Sequence, residues 1–308
     1  MQRLALFLRL MVIKNTKFDI SMKKNLLLLA MVAFTFSSCA VQAESIVPSK
    51  NYVTKKVKAD NFDGISTATS IDVVYTQISG APDIEVYAPD NLMEYIQIEV
   101  EDGMLQVKFQ SKESPFNGIN IRGKHQTEVR VSAPALHAFR ASSSGDIVLK
   151  NGLQTTGKVS MKSSSSGDIE GGKVVCDELI ASASSSGDVV LNQVECTSLD
   201  ADASSSGDVT IKDLKAETVE ADASSSGDVI LSGECRSANL SASSSGDVEA
   251  KHLKADKVVA GASSAGDVTC HAVESLTAST SSSGNVNYKG NPKHIDYHPK
   301  KGLNKIED

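Results

Sequence analysis

The feature that most constrains the fold is an internal repeat of Ser-Ser-Ser-Gly-Asp, or a close variant, in the second half of the chain. Eight copies follow one another at intervals of 18 to 22 residues. A period near 20 indicates one short supersecondary unit stacked on itself. The glycines of the eight copies are Gly145, Gly167, Gly187, Gly207, Gly227, Gly246, Gly266 and Gly284.

The residues around each glycine alternate between apolar and polar, which is the period of a β-strand with one buried face. The second residue after the glycine is always Ile or Val, and small residues such as Ala201 and Ala203 precede the turn. Each copy therefore predicts a strand, a tight turn in which glycine takes a positive φ, and a second strand. We predict an all-β fold, a parallel β-helix (a single-stranded β-solenoid) with about 20 residues per coil. The general rule for crossovers makes it right-handed.

The N-terminal residues predict an export signal. Lys23 and Lys24 precede an apolar stretch that ends at Phe36, so we interpret residues 1–38 as a signal peptide. Residues 1–21 precede Met22 and are either an upstream extension or a long basic region. Phe36-Ser37-Ser38-Cys39 is typical of a lipidation signal, so we expect a lipid anchor on Cys39, with ordinary cleavage after Ala43 as the alternative.

The remaining chain divides by pattern. We expect a linker at 39–51, an N-terminal cap with degenerate coils at 52–140, regular coils at 141–290 and a tail at 291–308 that covers the open end or frays. Within the cap, Glu101-Asp102-Gly103 predicts a hairpin turn between two alternating strands.

Charge excludes some classes of protein. Residues 1–38 hold six of the 31 basic and one of the 38 acidic residues, so the remainder carries a net charge of −12. Such a chain has no excess of cations to neutralise phosphates, which argues against a nucleic-acid partner. No run of 18 apolar residues is present, which argues against a protein with several membrane spans.

An aspartate follows seven of the eight glycines, so these carboxylates should stack along one edge. Two interpretations stay open: each carboxylate accepts backbone N–H bonds within its own turn, which also favours its ionised form, or calcium bridges neighbouring coils. The repeat lacks the doubled glycine of nine-residue calcium-binding repeats. The column comprises Asp146, Asp168, Asp188, Asp208, Asp228, Asp247 and Asp267, and Asn285 ends it.

The remaining candidate groups favour structural roles. The repeated serines predict a hydroxyl ladder rather than a nucleophile, because a catalytic serine needs a unique environment. The six histidines show no metal-binding spacing, and a basic patch at Arg122, Lys124 and Arg130 is typical of a solvated face. Cys176 and Cys196 each lie nine residues after their glycine and should be neighbours, as a disulfide or as free buried thiols.

Several segments carry a resemblance to a known family. They are Phe62-Asp63-Gly64-Ile65, Ile71 to Gln77, the turn from Val100 to Leu105, Gly118-Ile119-Asn120 and the serial Ser-Gly-Asp-Val coils. Together they resemble the auto-transporter adhesin "head GIN" domain family of secreted and lipoprotein-type proteins of Gram-negative bacteria, over about residues 60–290. The resemblance implies a β-solenoid at the cell envelope and carries over no catalytic residue.

Three classes of function follow. The leading hypothesis is a non-enzymatic cell-envelope protein, an outer-membrane lipoprotein without cofactor, whose extended solenoid surface binds a protein or a polysaccharide. The second is a periplasmic structural scaffold. The third is a carbohydrate-active enzyme, which the uniform coils disfavour because such enzymes build their sites on unique residues and inserted loops.

Overall fold

The structure, a computed structural model, describes residues 44–110, 119–298 and 301–307. The predicted signal peptide, the predicted lipidation at Cys39 and the alternative cleavage after Ala43 lie outside the described residues. The described chain consists of β-strands and one 3₁₀ helix. The prediction of an all-β solenoid with parallel coils about 20 residues apart is confirmed; its right-handedness stays a prediction.

The N-terminal part contains nine strands. They are β1 (Glu44–Ile46), β2 (Tyr52–Val57), β3 (Gly64–Thr67), β4 (Asp72–Gln77), β5 (Asp83–Pro89), β6 (Ile96–Glu101), β7 (Met104–Phe109), β8 (Ile119–Ile121) and β9 (Glu128–Ala133), with the 3₁₀ helix (Asp90–Tyr95) before β6. The strand β1 lies in the segment expected to be a linker, where it pairs with β8.

The regular part contains thirteen strands and the tail contains two. They are β10 (Ala138–Ser142), β11 (Ile147–Leu149), β12 (Leu153–Gln154), β13 (Lys158–Ser164), β14 (Ile169–Val175), β15 (Glu178–Ser184), β16 (Val189–Glu195), β17 (Ser198–Ser204), β18 (Val209–Ser224), β19 (Val229–Ser243), β20 (Val248–Ala262), β21 (Asp267–Thr280), β22 (Asn285–Lys289), β23 (His294–His298) and β24 (Leu303–Lys305).

Each coil has two main sides. Side A is the stretch that leads into the serine turn, and side B is the stretch that follows it. On side B the second residue after each turn glycine stacks on its counterpart in the next coil, and all of these Ile and Val side chains are fully buried. This inner column consists of Ile147, Ile169, Val189, Val209, Val229, Val248, Val268 and Val286.

The N-terminal cap does not follow sequence order. Strands β3 and β4 form a coil that stacks directly on β10 and β11, although about 60 residues separate them in sequence. The intervening chain passes to the outer side of this coil, where β7 pairs with β3 and β9 pairs with β4. Antiparallel strands β6, β5 and β2 then complete the cap. The cap therefore covers the first coil mainly with strands that follow that coil in sequence, and β2, which precedes it, adds to the edge of β5.

A hairpin turn in the cap and the strands of the tail complete the domain. Asp102 and Gly103 both take positive φ between antiparallel β6 and β7, so the predicted hairpin turn is confirmed. At the other end β23 pairs with β21 and β24 pairs with β22. The described part of the tail therefore adds a last partial coil over the open end.

Candidate functional site

The serine turns have a conformation that the sequence did not predict. Ser185 and Ser186 take φ of 54° and 71°, and the Gly187 N–H donates to the Ser184 carbonyl at 3.1 Å. Two consecutive positive φ values closed by this hydrogen bond define a type I′ turn, whose central positions usually hold Asn and Gly. The expectation that the turn glycine takes the positive φ is wrong, because the two serines before it do so.

The glycines are required by close packing instead. A Cβ added to Gly207 would lie 2.5 Å from the Ser184 nitrogen and 2.7 Å from the Gly187 carbonyl oxygen of the preceding coil. The other turn glycines meet preceding backbone at similar distances. Only a residue without a side chain lets successive turns stack here.

The aspartate column is a hydrogen-bonded ladder between coils. The Asp188 N–H donates to Asp168 Oδ1 at 2.8 Å, and the Asp208 N–H donates to Asp188 Oδ1 at 2.9 Å. The pattern continues to the last coil, where the Asn285 N–H donates to Asp267. The interpretation that each carboxylate bonds within its own turn is wrong: the carboxylates of Asp146, Asp168, Asp188, Asp208, Asp228, Asp247 and Asp267 each accept from the next coil.

The ladder begins one coil earlier than predicted. The Asp146 N–H donates to Asp72 at 3.3 Å. Asp72 precedes Val73 and Val74 as Asp188 precedes two valines, so the sequence contained the signal. Because no Ser-Ser-Ser-Gly sequence precedes Asp72, the two valines alone did not identify this residue as part of the column.

Burial determines the pKa of two ladder carboxyls. Burial raises the pKa of Asp146 and Asp188 above the ordinary value, an effect larger than the opposing backbone hydrogen bond from the next coil. The expected lowering of the carboxyl pKa by hydrogen bonds is therefore outweighed by burial at these two positions. Within the described ranges no three His, Cys, Asp or Glu side chains are grouped to hold a metal ion. Calcium bridging stays a prediction, which chelation during thermal unfolding would test.

The serine hydroxyls bond to backbone rather than to each other. Ser163 Oγ donates to the Gly187 carbonyl at 2.9 Å, and Ser142 Oγ donates to the Thr67 carbonyl at 3.2 Å. The two central serines of each regular turn are exposed. These hydroxyls therefore bond from coil to coil, as predicted, but their acceptors are backbone carbonyls instead of other hydroxyls.

The four described cysteines are free thiols. Burial raises the pKa of Cys176 to about 11 and that of Cys196 to about 12. Cys235 aligns with Ala216, the position that follows Cys196 in register, so it shares their column. Cys235 lies eight residues after its glycine rather than nine, because the coil between Gly227 and Gly246 is one residue shorter.

A block of four carboxylates lies on the outer face of side A. Asp200 pairs in register with Glu220, and Asp202 pairs in register with Asp222 on the next coil. Each of the four points outward because the residues between them, such as Ala201 and Ala221, are buried. We call Asp200, Asp202, Glu220 and Asp222 the acidic block.

The acidic block lies beside a groove that runs across the coils. The groove has a volume of about 560 Å³, and its floor consists of the largely buried Leu199, Val219 and Ala238. Hydroxyl side chains line it at one edge, and carboxylate and amide side chains line it at the other. These groups are Ser198, Thr218 and Ser237, and Asp200, Glu220 and Asn239.

The acidic block is only partly compensated by nearby cations, and Lys257 also lines the groove beside it. Among the described residues, no Lys, Arg or His forms an ion pair with any of its members. Burial, followed by the charges of Asp222 and Asp200, raises the pKa of Asp202, and the Lys162 charge only partly opposes this. Like charges directly opposite each other destabilise a strand pair.

The column after side B shows the opposite arrangement. Glu195, Lys215, Glu234 and Lys254 follow one another in register on four consecutive coils. Opposite charges therefore alternate there, which stabilises neighbouring strands. The chain therefore alternates opposite charges on one surface and groups like charges on the other.

A histidine joins the cap to the first coils. His137 Nδ1 lies 2.7 Å from Asp63 Oδ1, and His137 Nε2 lies 3.0 Å from Thr155 Oγ1 and 3.2 Å from the Thr156 carbonyl oxygen. The hydrogen bond with Asp63 raises the pKa of His137. A Thr–His–Asp array suggests nucleophilic catalysis, but the carbonyl beside Nε2 favours a ring nitrogen that donates rather than accepts a proton.

The basic patch is partly compensated. The Arg130 guanidinium pairs with Glu128 and lies 5.7 Å from the centre of the Tyr87 ring. These contacts support the structural interpretation of this patch. In the part of the chain that the structure describes, no helix is both long and apolar enough to cross a membrane.

Solved structures of bacterial proteins share this architecture. One, described as a putative adhesin from Parabacteroides distasonis, is 22% identical with a TM-score of 0.66, and the match covers 85% of this chain and all of that one. A putative adhesin from Parabacteroides merdae is 20% identical with a TM-score of 0.63, and a putative lipid binding protein from Parabacteroides distasonis is 22% identical with a TM-score of 0.62; each match covers 86% of this chain and all of the other. At these identities the likeness concerns the fold alone.

Sequence comparison gives the family. A search of curated proteins finds no match. The family model described as "Putative auto-transporter adhesin, head GIN domain" matches residues 61–231 and 192–292, which together span most of the chain. The solenoid with its stacked Gly-Asp turns therefore belongs to the auto-transporter adhesin, head GIN domain family.

Proposed function

We propose that this protein is a non-enzymatic binding protein of the cell envelope and that side A of its coils is the binding surface. Its membership of an adhesin family supports a surface role. Export and a lipid anchor on Cys39, in the manner of an outer-membrane lipoprotein, belong to the same proposal and depend on the N-terminal sequence pattern.

The single observation that carries the proposal is the acidic block beside the groove, whose members form no ion pair with the described residues. Four carboxylates on two coils repel one another, while the Glu195 column on another surface of the same coils alternates charge. Nothing in the local packing requires acids at these outward positions, where Ser182 and Ser241 occupy equivalent places on neighbouring coils. A cationic partner would offset the repulsion and gain from the field of the block.

The groove indicates how such a partner would lie. Its lining residues come from five consecutive coils, so an occupant would run along the stacking direction and meet polar groups on each coil, with Lys257 on the last. Contacts that are individually weak then add up along the polymer. We propose an extended basic segment of a protein as the partner, and a cationic polysaccharide is the alternative that the experiment must separate.

The experiment compares two variants with equal loss of charge. The first replaces the acidic block by D200N, D202N, E220Q and D222N, and the control removes four acids elsewhere by E170Q, E195Q, E234Q and E249Q. Binding of poly-lysine, of a partly deacetylated chitin polymer and of neutral phospholipid vesicles to the immobilised protein is measured at several salt concentrations. We expect salt-sensitive binding of poly-lysine that the first variant loses at least tenfold and the control retains.

Other outcomes distinguish the alternatives. Preference for the polysaccharide would change the partner class, and equal losses in both variants would refute the acidic block as the site. No binding by the wild-type chain would favour a periplasmic scaffold. A carbohydrate-active enzyme instead requires polysaccharide turnover that one Asp or Glu substitution abolishes.

A further inference from the structure

Two of the cysteines occupy equivalent positions on consecutive coils. Val175 pairs in register with Glu195, and Glu195 pairs with Lys215, so Cys176, Cys196 and Ala216 follow at the next position. The Cys176 N–H donates to the Glu195 carbonyl at 3.1 Å, and the Cys196 N–H donates to the Lys215 carbonyl at 3.0 Å. The two residues are therefore related by one step along the coil stack.

This step suits a disulfide. Neighbouring strands lie about 4.8 Å apart, and bridged cysteines have Cα atoms about 4.4 to 6.8 Å apart. Both side chains pack against the core, with Cys176 buried and Cys196 partly buried. After burial, the charge of Cys176 is the second cause that raises the pKa of Cys196, as expected for neighbouring thiols.

The other cysteines do not offer this geometry. Cys235 lies two coils from Cys196, with Ala216 between them, so the separation is about twice the strand spacing. Cys270 belongs to a different column, where it pairs with Ala250 and Tyr288. Among the described cysteines, only Cys176 and Cys196 occupy adjacent positions on consecutive coils.

We propose that Cys176 and Cys196 are an oxidisable pair that forms a disulfide between two consecutive coils. The oxidant is a disulfide compound, such as oxidised glutathione, or a disulfide-bearing oxidoreductase. The Cys196 thiolate attacks a sulfur of the oxidant and releases one thiol, and the Cys176 thiolate then attacks the Cys196 sulfur of the mixed disulfide and releases the second thiol. Two protons and two electrons leave the protein, and the oxidant is reduced to two thiols.

Burial makes this reaction slow and gives the bridge a structural effect. The raised pKa values of the two thiols keep the thiolate fraction low at neutral pH, so the rate rises with alkaline pH. Once formed, the bond closes a loop of one coil and restricts the unfolded chain. Oxidation should therefore hold the register of two neighbouring coils and raise the melting temperature.

The test uses the reduced, folded full chain incubated with oxidised glutathione at mildly alkaline pH. Peptide mass spectrometry without reduction should find the Cys176 and Cys196 peptides linked, lighter by two hydrogens than the separate peptides. The linkage should be absent in Cys176→Ala and Cys196→Ala and retained in the control Cys235→Ala. The melting temperature of the wild-type chain should rise by several degrees on oxidation, and that of Cys176→Ala should not.

Other results would overturn the proposal. Glutathione attached to Cys196 without a crosslink would show that the two sulfur atoms do not meet. A link to Cys235 or Cys270 would show that the register is different. If Cys176, Cys196, Cys235 and Cys270 stay reduced in the folded chain but react after denaturation, burial excludes the oxidant and the pair is inert.

Discussion

The N-terminal cap and the regular coils bury their cores by different means. In the cap and first coil large side chains meet once: Tyr75 and Phe139 pack edge to face with ring centres 5.4 Å apart, and the Tyr75 hydroxyl donates to the Pro134 carbonyl. In the coils the same small contacts recur between neighbours. A turn glycine packs against the backbone of the preceding coil, an Asp carboxylate accepts an N–H from the next coil, and a buried Val stacks on its counterpart. The cap therefore depends on unique contacts, whereas each coil depends on fitting its neighbours on both sides.

The largest effect should come from a turn glycine. Gly207→Ala is expected to lower the free energy of unfolding by about 3 kcal/mol or more, because the new Cβ would overlap the backbone of the preceding coil. Urea unfolding followed by circular dichroism measures this. Gly172→Ala is the matched control, since a Cβ there meets no atom within 4 Å. Equal midpoints for the two variants would contradict the close-packing explanation.

The cap should respond to loss of a large side chain. Phe139→Ala removes a fully buried ring from its contact with Tyr75 and should cost about 3 kcal/mol. Hydrogen exchange should show the loss of protection mainly in β3, β4 and β10. Uniform loss along all coils would instead mean that cap and coils unfold as one unit.

Two variants of Asp188 distinguish the contribution of its hydrogen bond to stability from that of its charge. Asp188→Ala leaves the Asp208 N–H without its acceptor and should cost about 1–2 kcal/mol. Asp188→Asn keeps an acceptor oxygen at this position and should change stability by less than about 0.5 kcal/mol. Thermal unfolding of both variants decides whether the oxygen or its charge matters.

The pH dependence of the Asp188 variants follows from the raised pKa. The folded protein binds the Asp188 proton more tightly than the unfolded chain does, so this group favours folding most at low pH. That contribution declines as pH rises through the folded pKa. The stability of Asp188→Asn relative to that of the wild type should therefore be highest at neutral pH and lower in acid. The reverse trend would contradict burial as the dominant effect.

The junction between cap and coils should be sensitive to pH. The pKa of His137 is raised, so its contribution to stability is complete below the ordinary histidine value of 6.5 and is lost as pH rises through the folded pKa. The pair is largely exposed, so His137→Gln should cost at most about 1 kcal/mol in acid and less at alkaline pH. His294→Gln is the control, and a pH-independent difference would remove the proposed charge pairing.

The smallest effect concerns the strained turns. Replacing Ser205 and Ser206 by Asn and Gly should stabilise the fold by about 0.5–1 kcal/mol, because both positions take positive φ. The reciprocal change of Asp102 and Gly103 to two serines should destabilise the cap hairpin by a similar amount. If neither melting temperature moves, the turn type does not limit stability.

The repeat predicted the coils well because the same signal occurs eight times. It predicted the importance of Gly207 but not the reason, since stacking of backbone on backbone is not visible in a single strand pattern. The contact between His137 and Asp63 joins residues 74 apart, across a cap whose strands do not stack in chain order. The acidic block was present as Asp-Ala-Asp and Glu-Ala-Asp, but only the register places the two segments opposite each other.

The proposed surface role is tested most directly by asking whether the solenoid is exposed on the outside of the cell. Ser206→Cys places a reactive thiol at an exposed turn, and a membrane-impermeant biotin maleimide is applied to intact cells that also carry a periplasmic cysteine protein as control. We predict labelling of Ser206→Cys, but not of the wild-type chain, while the periplasmic control stays unlabelled. Labelling of Ser206→Cys only after the outer membrane is opened would contradict a surface-exposed binding protein and support a periplasmic scaffold.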